Sequence, residues 1–193
     1  MRRYLRLAAL VGLACAVLGA ARRAPAAVEG PKTSAIFVKI DGIAGSSTDE
    51  QHKGQIEALS FNWSAKLKEG KDGKDAKDGA GAGGGAAEPH DALLLKPVDA
   101  ATPRLMLALA KGETIPEVTV DVRGTVAGGK AQQVYLQYVF TGVKLTVVSH
   151  AVVNSAQEQV QFTYRTIRIR YQGADGQAVE ESWDAAANGP AKK

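Results

Sequence analysis

Lys96-Pro-Val-Asp-Ala-Ala-Thr-Pro-Arg-Leu-Met-Leu-Ala-Leu-Ala-Lys-Gly112 decides the fold, because beyond the N-terminal segment it is the only stretch in which a helix is plainly written. Thr102 suits the N-cap, Pro103 the first helical position where its missing N–H costs nothing, and Lys111 with Gly112 the C-terminal end. This predicts a helix over about residues 103–111. Leu105 and Leu109 lie one turn apart with Met106 beside them, so the helix carries one apolar stripe. A helix of roughly ten residues is marginal alone in water and must dock on something. Arg104 and Lys111 fall off the stripe and are expected to face solvent or a neighbour.

Everything around the helix reads as strand. Ile36, Val38 and Ile40 alternate with Phe37, Lys39 and Asp41, which predicts a first strand over 35–42. From Gln55 to Leu67, Leu59, Phe61, Trp63, Ala65 and Leu67 share the larger face, which is expected to be core, against Ile56, Ala58, Ser60 and Asn62. Asp91 to Lys96 is a short strand. Val118, Val120 and Val122 alternate with polar partners after the helix, as in a half-exposed antiparallel strand. Val134, Leu136, Tyr138 and Phe140 share a face until Gly142, after which Val143, Leu145 and Val147 do, so a bend or bulge is expected there. A second change of phase separates Val160, Phe162 and Tyr164 from Ile167, Ile169 and Tyr171, near Arg165-Thr166. Ala178 to Asp184 forms the last strand, and a polar tail follows. The class is mainly β, with one helix on the side of a sheet.

The 193 residues include 24 Lys and Arg and 20 Asp and Glu, but the charge is unevenly placed. Residues 1–26 hold Arg2, Arg3, Arg6, Arg22 and Arg23 and no acid, leaving 19 basic against 20 acidic residues in the remainder. That near-neutral remainder argues against nucleic acid as a partner, since phosphate affinity needs clustered Lys and Arg. The basic start, the apolar run Leu7 to Ala21 and the small residues through Ala24-Pro25-Ala26-Ala27 read as a signal peptide over 1–26. The apolar run is short of the roughly 20 residues that span a bilayer, so no stable membrane insertion is expected after cleavage. Residues 27–193 would then be an extracytoplasmic domain, secreted or periplasmic, whereas a start near Val28 would leave it in the cytoplasm before secretion. Cys15 is the sole cysteine, so the remainder has neither disulfide nor thiol nucleophile.

Residues 66–88 break the β pattern. Lys71-Asp72, Lys74-Asp75 and Lys77-Asp78 recur three residues apart and are followed by a Gly/Ala run, a composition with too little apolar surface to order itself. The reading is a flexible loop, either a projecting contact loop with Lys71, Asp72, Lys74, Asp75, Lys77 and Asp78 as its candidate contact residues or an insertion with no role. Chemistry is poorly represented elsewhere. His52, His90 and His150 lack metal-ligand spacing, Glu88-Pro-His-Asp91 reads as a turn leading into a strand, and no nucleophile elbow or phosphate loop is present. No catalytic residue, metal or cofactor is expected.

Five segments carry a family resemblance. They are Ile36-Phe-Val-Lys-Ile-Asp-Gly-Ile-Ala-Gly45, His52 with Ile56-Glu-Ala-Leu-Ser-Phe-Asn-Trp63, Lys96 to Leu105, Tyr135-Leu-Gln-Tyr-Val-Phe-Thr-Gly-Val143, and Glu158-Gln-Val-Gln-Phe-Thr-Tyr164 with the strand to Tyr171. In this order they resemble the Hcp family, the tube protein of type VI secretion systems. The resemblance implies a small closed β-barrel of two antiparallel sheets with one helix on its side. It also implies a homo-hexameric ring able to stack into a tube, small effector proteins or other type VI components as partners, and no enzymatic activity. His52 would make a structural hydrogen bond near its strand. The alternative is an exported, stand-alone β-barrel binding module that has lost the tube role.

Overall fold

The computed structural model describes residues 30–67, 87–89, 91–126, 129, 131–152 and 155–191. In chain order the elements are β1 (Lys32–Ile40), β2 (Ile56–Ala58), β3 (Ser60–Asn62), β4 (Ala65–Leu67), β5 (Ala87–Pro89), β6 (Ala92–Pro97), α1 (Thr102–Lys111), β7 (Thr114–Thr125), β8 (Gln132–Val152), β9 (Ala156–Thr163), β10 (Thr166–Gln172), β11 (Ala178–Asp184) and β12 (Gly189–Pro190). The fold is mainly β, with a single helix among the described residues. Every pairing is antiparallel.

One run of pairings goes β12-β11-β10-β8-β7-β1-β2, and a branch leaves β8 through β9 and β6 to β3. Because Leu59 alone separates β2 from β3, the circuit β1-β7-β8-β9-β6-β3 returns to the strand beside β1. The 21-residue strand β8 is the hinge of this plan. Its first half lies between β7 and β10, and its second half pairs with β9.

The two changes of phase read from the sequence are one structural corner. Gly142 takes the left-handed conformation at φ 61°, which glycine adopts without the steric cost a side chain would bring. A Cβ built there would lie 3.0 Å from the Cβ of Arg165, and the Arg165 N–H donates to the Thr141 carbonyl at 2.9 Å. The gap between β9 and β10 therefore faces the bend in β8. Phe140 before the bend, and Val143 and Leu145 after it, all reach the core.

The expected strand from Gln55 to Leu67 is three short strands, and its expected core face holds only in part: Phe61 and Trp63 pack against the core, but Leu59 and Ala65 do not. Ile56 is fully buried and Ala58 half-buried, whereas Leu59 is 52% exposed. The chain changes partner at this residue. Ile56 and Ala58 pair with Val38 and Ile36, the Leu59 N–H donates to the Leu95 carbonyl at 2.8 Å, and Ser60 pairs with Leu95. An alternation rule assumes one continuous sheet, and a switch of sheet partner defeats it. β1 likewise begins earlier than expected and buries both faces: Val38 and Ile40 enter the core, while Phe37 is covered on the other side.

The helix is present, with two corrections. Ala101 holds the N-cap position and no side chain caps the free amides; Thr102 lies inside the helix, and its hydroxyl is engaged elsewhere. The Asp99 carboxylate accepts from the Ala101 N–H at 3.0 Å just ahead of the helix. The buried stripe is Ala101, Leu105 and Ala108, with Leu109 packed at its edge, whereas Met106 is 51% exposed. At the far end Gly112 sits at φ 61° and Lys111 is the basic residue of the last turn, as expected. The Gly112 and Glu113 amides donate to Leu109 and Ala108, both at 3.0 Å. Lys111 is exposed and Arg104 half-buried, and both share Glu113 as their acid.

Candidate functional site

Three side-chain clusters and one hairpin give the framework its surface. The loop between β1 and β2 is folded onto the sheet by backbone bonds from Gly45 to Gly54 and from Ser47 to Gln55. Gly45 is required there, since a Cβ would come within 2.4 Å of the Gln55 carbonyl oxygen. The loop delivers His52, buried to 4%, flat against Phe37, with ring centroids 4.0 Å apart and planes at 6°. The Arg123 guanidinium also lies over the Phe37 ring, at 4.8 Å. Asp49 holds both side chains, accepting from Arg123 Nη1 at 2.7 Å and lying 3.1 Å from His52 Nδ1. The arginine bond, followed by the histidine bond, lowers the Asp49 carboxyl to about 2. Asp121 stands 3.4 Å from His52 Nε2. The structural bonding role implied for His52 matches this geometry.

The helix is fastened by a second cluster. Lys96 on β6 and Glu158 on β9 are both wholly buried, and Lys96 Nζ donates to Glu158 Oε2 at 2.6 Å. The same ammonium meets Asp99 Oδ1 at 2.8 Å and Thr102 Oγ1 at 3.3 Å. The Thr102 hydroxyl donates to Glu158 Oε2 at 2.9 Å and accepts from the Asp99 N–H at 3.2 Å. His150 of β8 sits 2.9 Å from Glu158 Oε1. Buried charges persist when they are paired and their remaining hydrogen-bond capacity is used, and this cluster does both. Its effect is to tie the first turn of α1 to β6 and β9.

The third cluster is an apolar cavity of about 430 Å³ between the end of β9 and the β10–β11 ribbon. Trp63, Tyr164, Ile167, Ile169, Glu181, Trp183 and Pro190 are among the residues that line it. Trp63 Nε1 donates to the Tyr164 hydroxyl at 2.6 Å, and burial pushes the Tyr164 phenol above its ordinary value. The Trp183 indole nitrogen is buried without a hydrogen-bond partner among the described residues.

Beside this cavity β4 and β5 pair, among the described residues, only with one another, in the register Ala65 to Pro89, Lys66 to Glu88 and Leu67 to Ala87. The loop expected over 66–88 thus starts from a short ladder. Lys71, Asp72, Lys74, Asp75, Lys77 and Asp78, named as contact residues, lie outside the described residues, as does His90. Among the described residues no group of three His, Cys, Asp or Glu side chains is placed to hold a metal ion, and no helix is long and apolar enough to cross a membrane.

Sequence reading missed the Lys96–Glu158 clamp, although a signal was present. Lys96 occupies the same face as Ala92 and Leu94, and Glu158 the same face as Val160 and Phe162. A charge in the buried phase of a strand calls for a buried counter-charge.

Comparison with known proteins agrees with this architecture. The family model described as "Type VI secretion system effector, Hcp" matches residues 37–171. Protein Hcp1 of Pseudomonas aeruginosa is 30% identical over 162 residues, covering 79% of this chain and 96% of that protein. Among solved structures, Hcp1 from Salmonella typhimurium superimposes with a TM-score of 0.67 at 28% identity, covering 83% of this chain and 100% of the other. A type VI secretion system effector from Yersinia pestis gives 0.63 at 26% identity, covering 77% and 98%.

Proposed function

The chain belongs to the Hcp family of type VI secretion proteins, and on that premise we propose that it is a structural subunit that self-associates into hexameric rings. The observation that carries this reading is the family match over 37–171, which takes in the strands from β1 to β10 together with the helix clamp. The lone β4–β5 ladder supports it, because a two-stranded hairpin is marginal by itself and gains stability by lying on another surface. In this reading the arm bearing Lys71, Asp72, Lys74, Asp75, Lys77 and Asp78 contacts a neighbouring subunit, and the ring carries small effector proteins. The role needs shape and self-association and asks for no catalytic group. Size-exclusion chromatography with light scattering on residues 27–193 tests it: a hexamer is expected, and a strict monomer at high concentration would overturn it.

A second reading is favoured by the leader, whose five arginines and apolar run fit an export signal. In it, residues 27–193 act outside the cytoplasm as a stand-alone binding module. Mass-spectrometric mapping of the mature N-terminus in cell fractions separates the two readings. Cleavage near Ala27 in an extracytoplasmic fraction favours export, and an intact cytoplasmic protein starting near Val28 favours assembly there.

A further inference from the structure

The described residues leave two apolar surfaces without a partner, and the first is the outer face of α1. Its inner stripe of Ala101, Leu105 and Ala108 lies in the core, yet Pro103, Met106, Leu107 and Ala110 are exposed, Met106 to 51% and Leu107 to 44%. These positions are spaced i, i+3, i+4 and i+7, so they form one continuous ridge. A surface helix ordinarily turns a polar face outward, and contiguous apolar residues there mark a surface that is covered in use. The bonds from Lys96 and Glu158 to Thr102 hold the first turn against the sheet, so the ridge is presented on a fixed support.

The second surface is the apolar cavity of about 430 Å³. The segments of the chain that adjoin it cannot fill it: residues 68–86, which join β4 to β5, and residues 192–193 after Ala191 contain no apolar side chain larger than alanine. The ridge and the cavity stand apart. Glu158, which fastens the helix, and Tyr164, which lines the cavity, are six positions apart along β9 and its exit, about 20 Å in an extended strand. A ridge and a hollow at separate places on one chain suit a head-to-tail contact between copies, whereas a two-fold contact pairs one patch with itself. Charge runs the same way. Arg104 and Lys111 flank the ridge and share the single carboxylate of Glu113, which leaves positive charge in excess. At the cavity Glu181 has no ion pair among the described residues and Glu180 meets Arg168 only at 3.9 Å, which leaves negative charge in excess. Opposite signs across a contact set its register and suppress wrong pairings more than they add affinity.

We propose that the outer face of α1 on one subunit docks in the Trp63–Trp183 cavity of a second copy of this chain, with Met106 and Leu107 as the inserted side chains. The inference rests on the ring reading above and names the two surfaces that meet between adjacent subunits. Each subunit then offers one ridge and one hollow, and a head-to-tail contact of this kind closes into a ring when its rotation permits.

The experiment uses size-exclusion chromatography with light scattering on the full chain and two variants. Leu107→Asp spoils the ridge and leaves the cavity intact; Ala65→Arg, at an exposed position that lines the cavity, does the reverse. Far-UV circular dichroism checks that each variant is folded, and Met106→Asp or Ala65→Lys takes the place of one that is not. Where the wild type is a hexamer, each variant alone should run as a monomer. Mixed in equal amounts, the two should form a dimer and nothing larger, because only one intact ridge and one intact hollow remain between them. A folded variant that stays assembled as the wild type does would overturn the proposal and leave the ring reading standing. So would a mixture that stays monomeric or rebuilds hexamers. A wild-type chain that is monomeric at high concentration would overturn both.

Discussion

Replacing Lys96 by methionine should be among the most damaging single changes to this fold. The ammonium contacts Glu158 at 2.6 Å and Asp99 at 2.8 Å, and Lys96 and Glu158 are wholly buried. Lys96→Met fills much of the lysine's volume, so packing is largely kept while two carboxylates lose their cation. Leaving one partner of a buried pair uncompensated costs about 3–5 kcal/mol. In a domain of this size each kcal/mol shifts Tm by roughly 2–4 °C, so a fall of about 6–20 °C is expected. The double variant Lys96→Met, Glu158→Leu removes both charges, and a buried pair replaced by apolar residues is often neutral. His150 is partly exposed and can turn to water, and Asp99 keeps the Ala101 amide. The double variant should therefore be more stable than the single by at least about 1 kcal/mol. Thermal denaturation followed by far-UV circular dichroism at one fixed protein concentration measures both. A single variant within about 2 °C of wild type, or a double variant as unstable as the single, would refute the reasoning that the pair is buried and its charges interdependent.

Two further predictions follow from the same surfaces. Asp49 titrates at about 2 rather than its ordinary 3.8, chiefly because Arg123 hydrogen-bonds its carboxylate; a depressed carboxylate contributes stability that is complete above the unfolded value and is lost as pH falls through the folded one. Glu113, lowered first by Arg104, acts in the same direction. Tm should thus decline on acidification from about pH 4 toward about pH 2, and Arg123→Met should flatten that decline; superimposable acid profiles would contradict it. On the helix, Leu105→Ala should cost about 2–5 kcal/mol as a core deletion, while Met106→Ala should stay within about 0.5 kcal/mol. Urea denaturation distinguishes them, and equal losses would mean that the helix buries a different face.

The parts of the fold that were legible in the sequence are those governed by short-range rules. The helix was written in Pro103, the leucine spacing and Gly112, and its C-terminal end forms as those residues imply. The bends at Gly142 and Arg165 were visible as changes of alternation. That they form one corner was not, because a phase change carries no information about what it faces. Leu59 defeated the reading for a related reason: alternation describes a strand within one sheet and is silent where the strand changes partner. Local sequence favours Thr102 as the cap because its hydroxyl is a good acceptor there, but Lys96 and Glu158, 62 residues apart, engage that hydroxyl instead. The candidate surface was legible only in part. The Lys-Asp repeat stands out by composition, whereas the cavity draws on Trp63, Tyr164 and Trp183, which come together only through the sheet.

The branching at β8 also sets the order in which folding costs arise. Its pairings with β7 and β9 are made by neighbours in the chain, so that three-strand meander needs only short loops to close. The pairing of β1 with β7 spans some 80 residues, as Ile40 opposite Val118 illustrates, and that of β6 with β9 about 65, as Leu94 opposite Val160 does. Contacts distant along the chain are slow to form because loop entropy is lost before they contribute. The cavity and the clamped helix are therefore kinetically downstream of the closures around β8, since neither is complete until β6 and β9 have met.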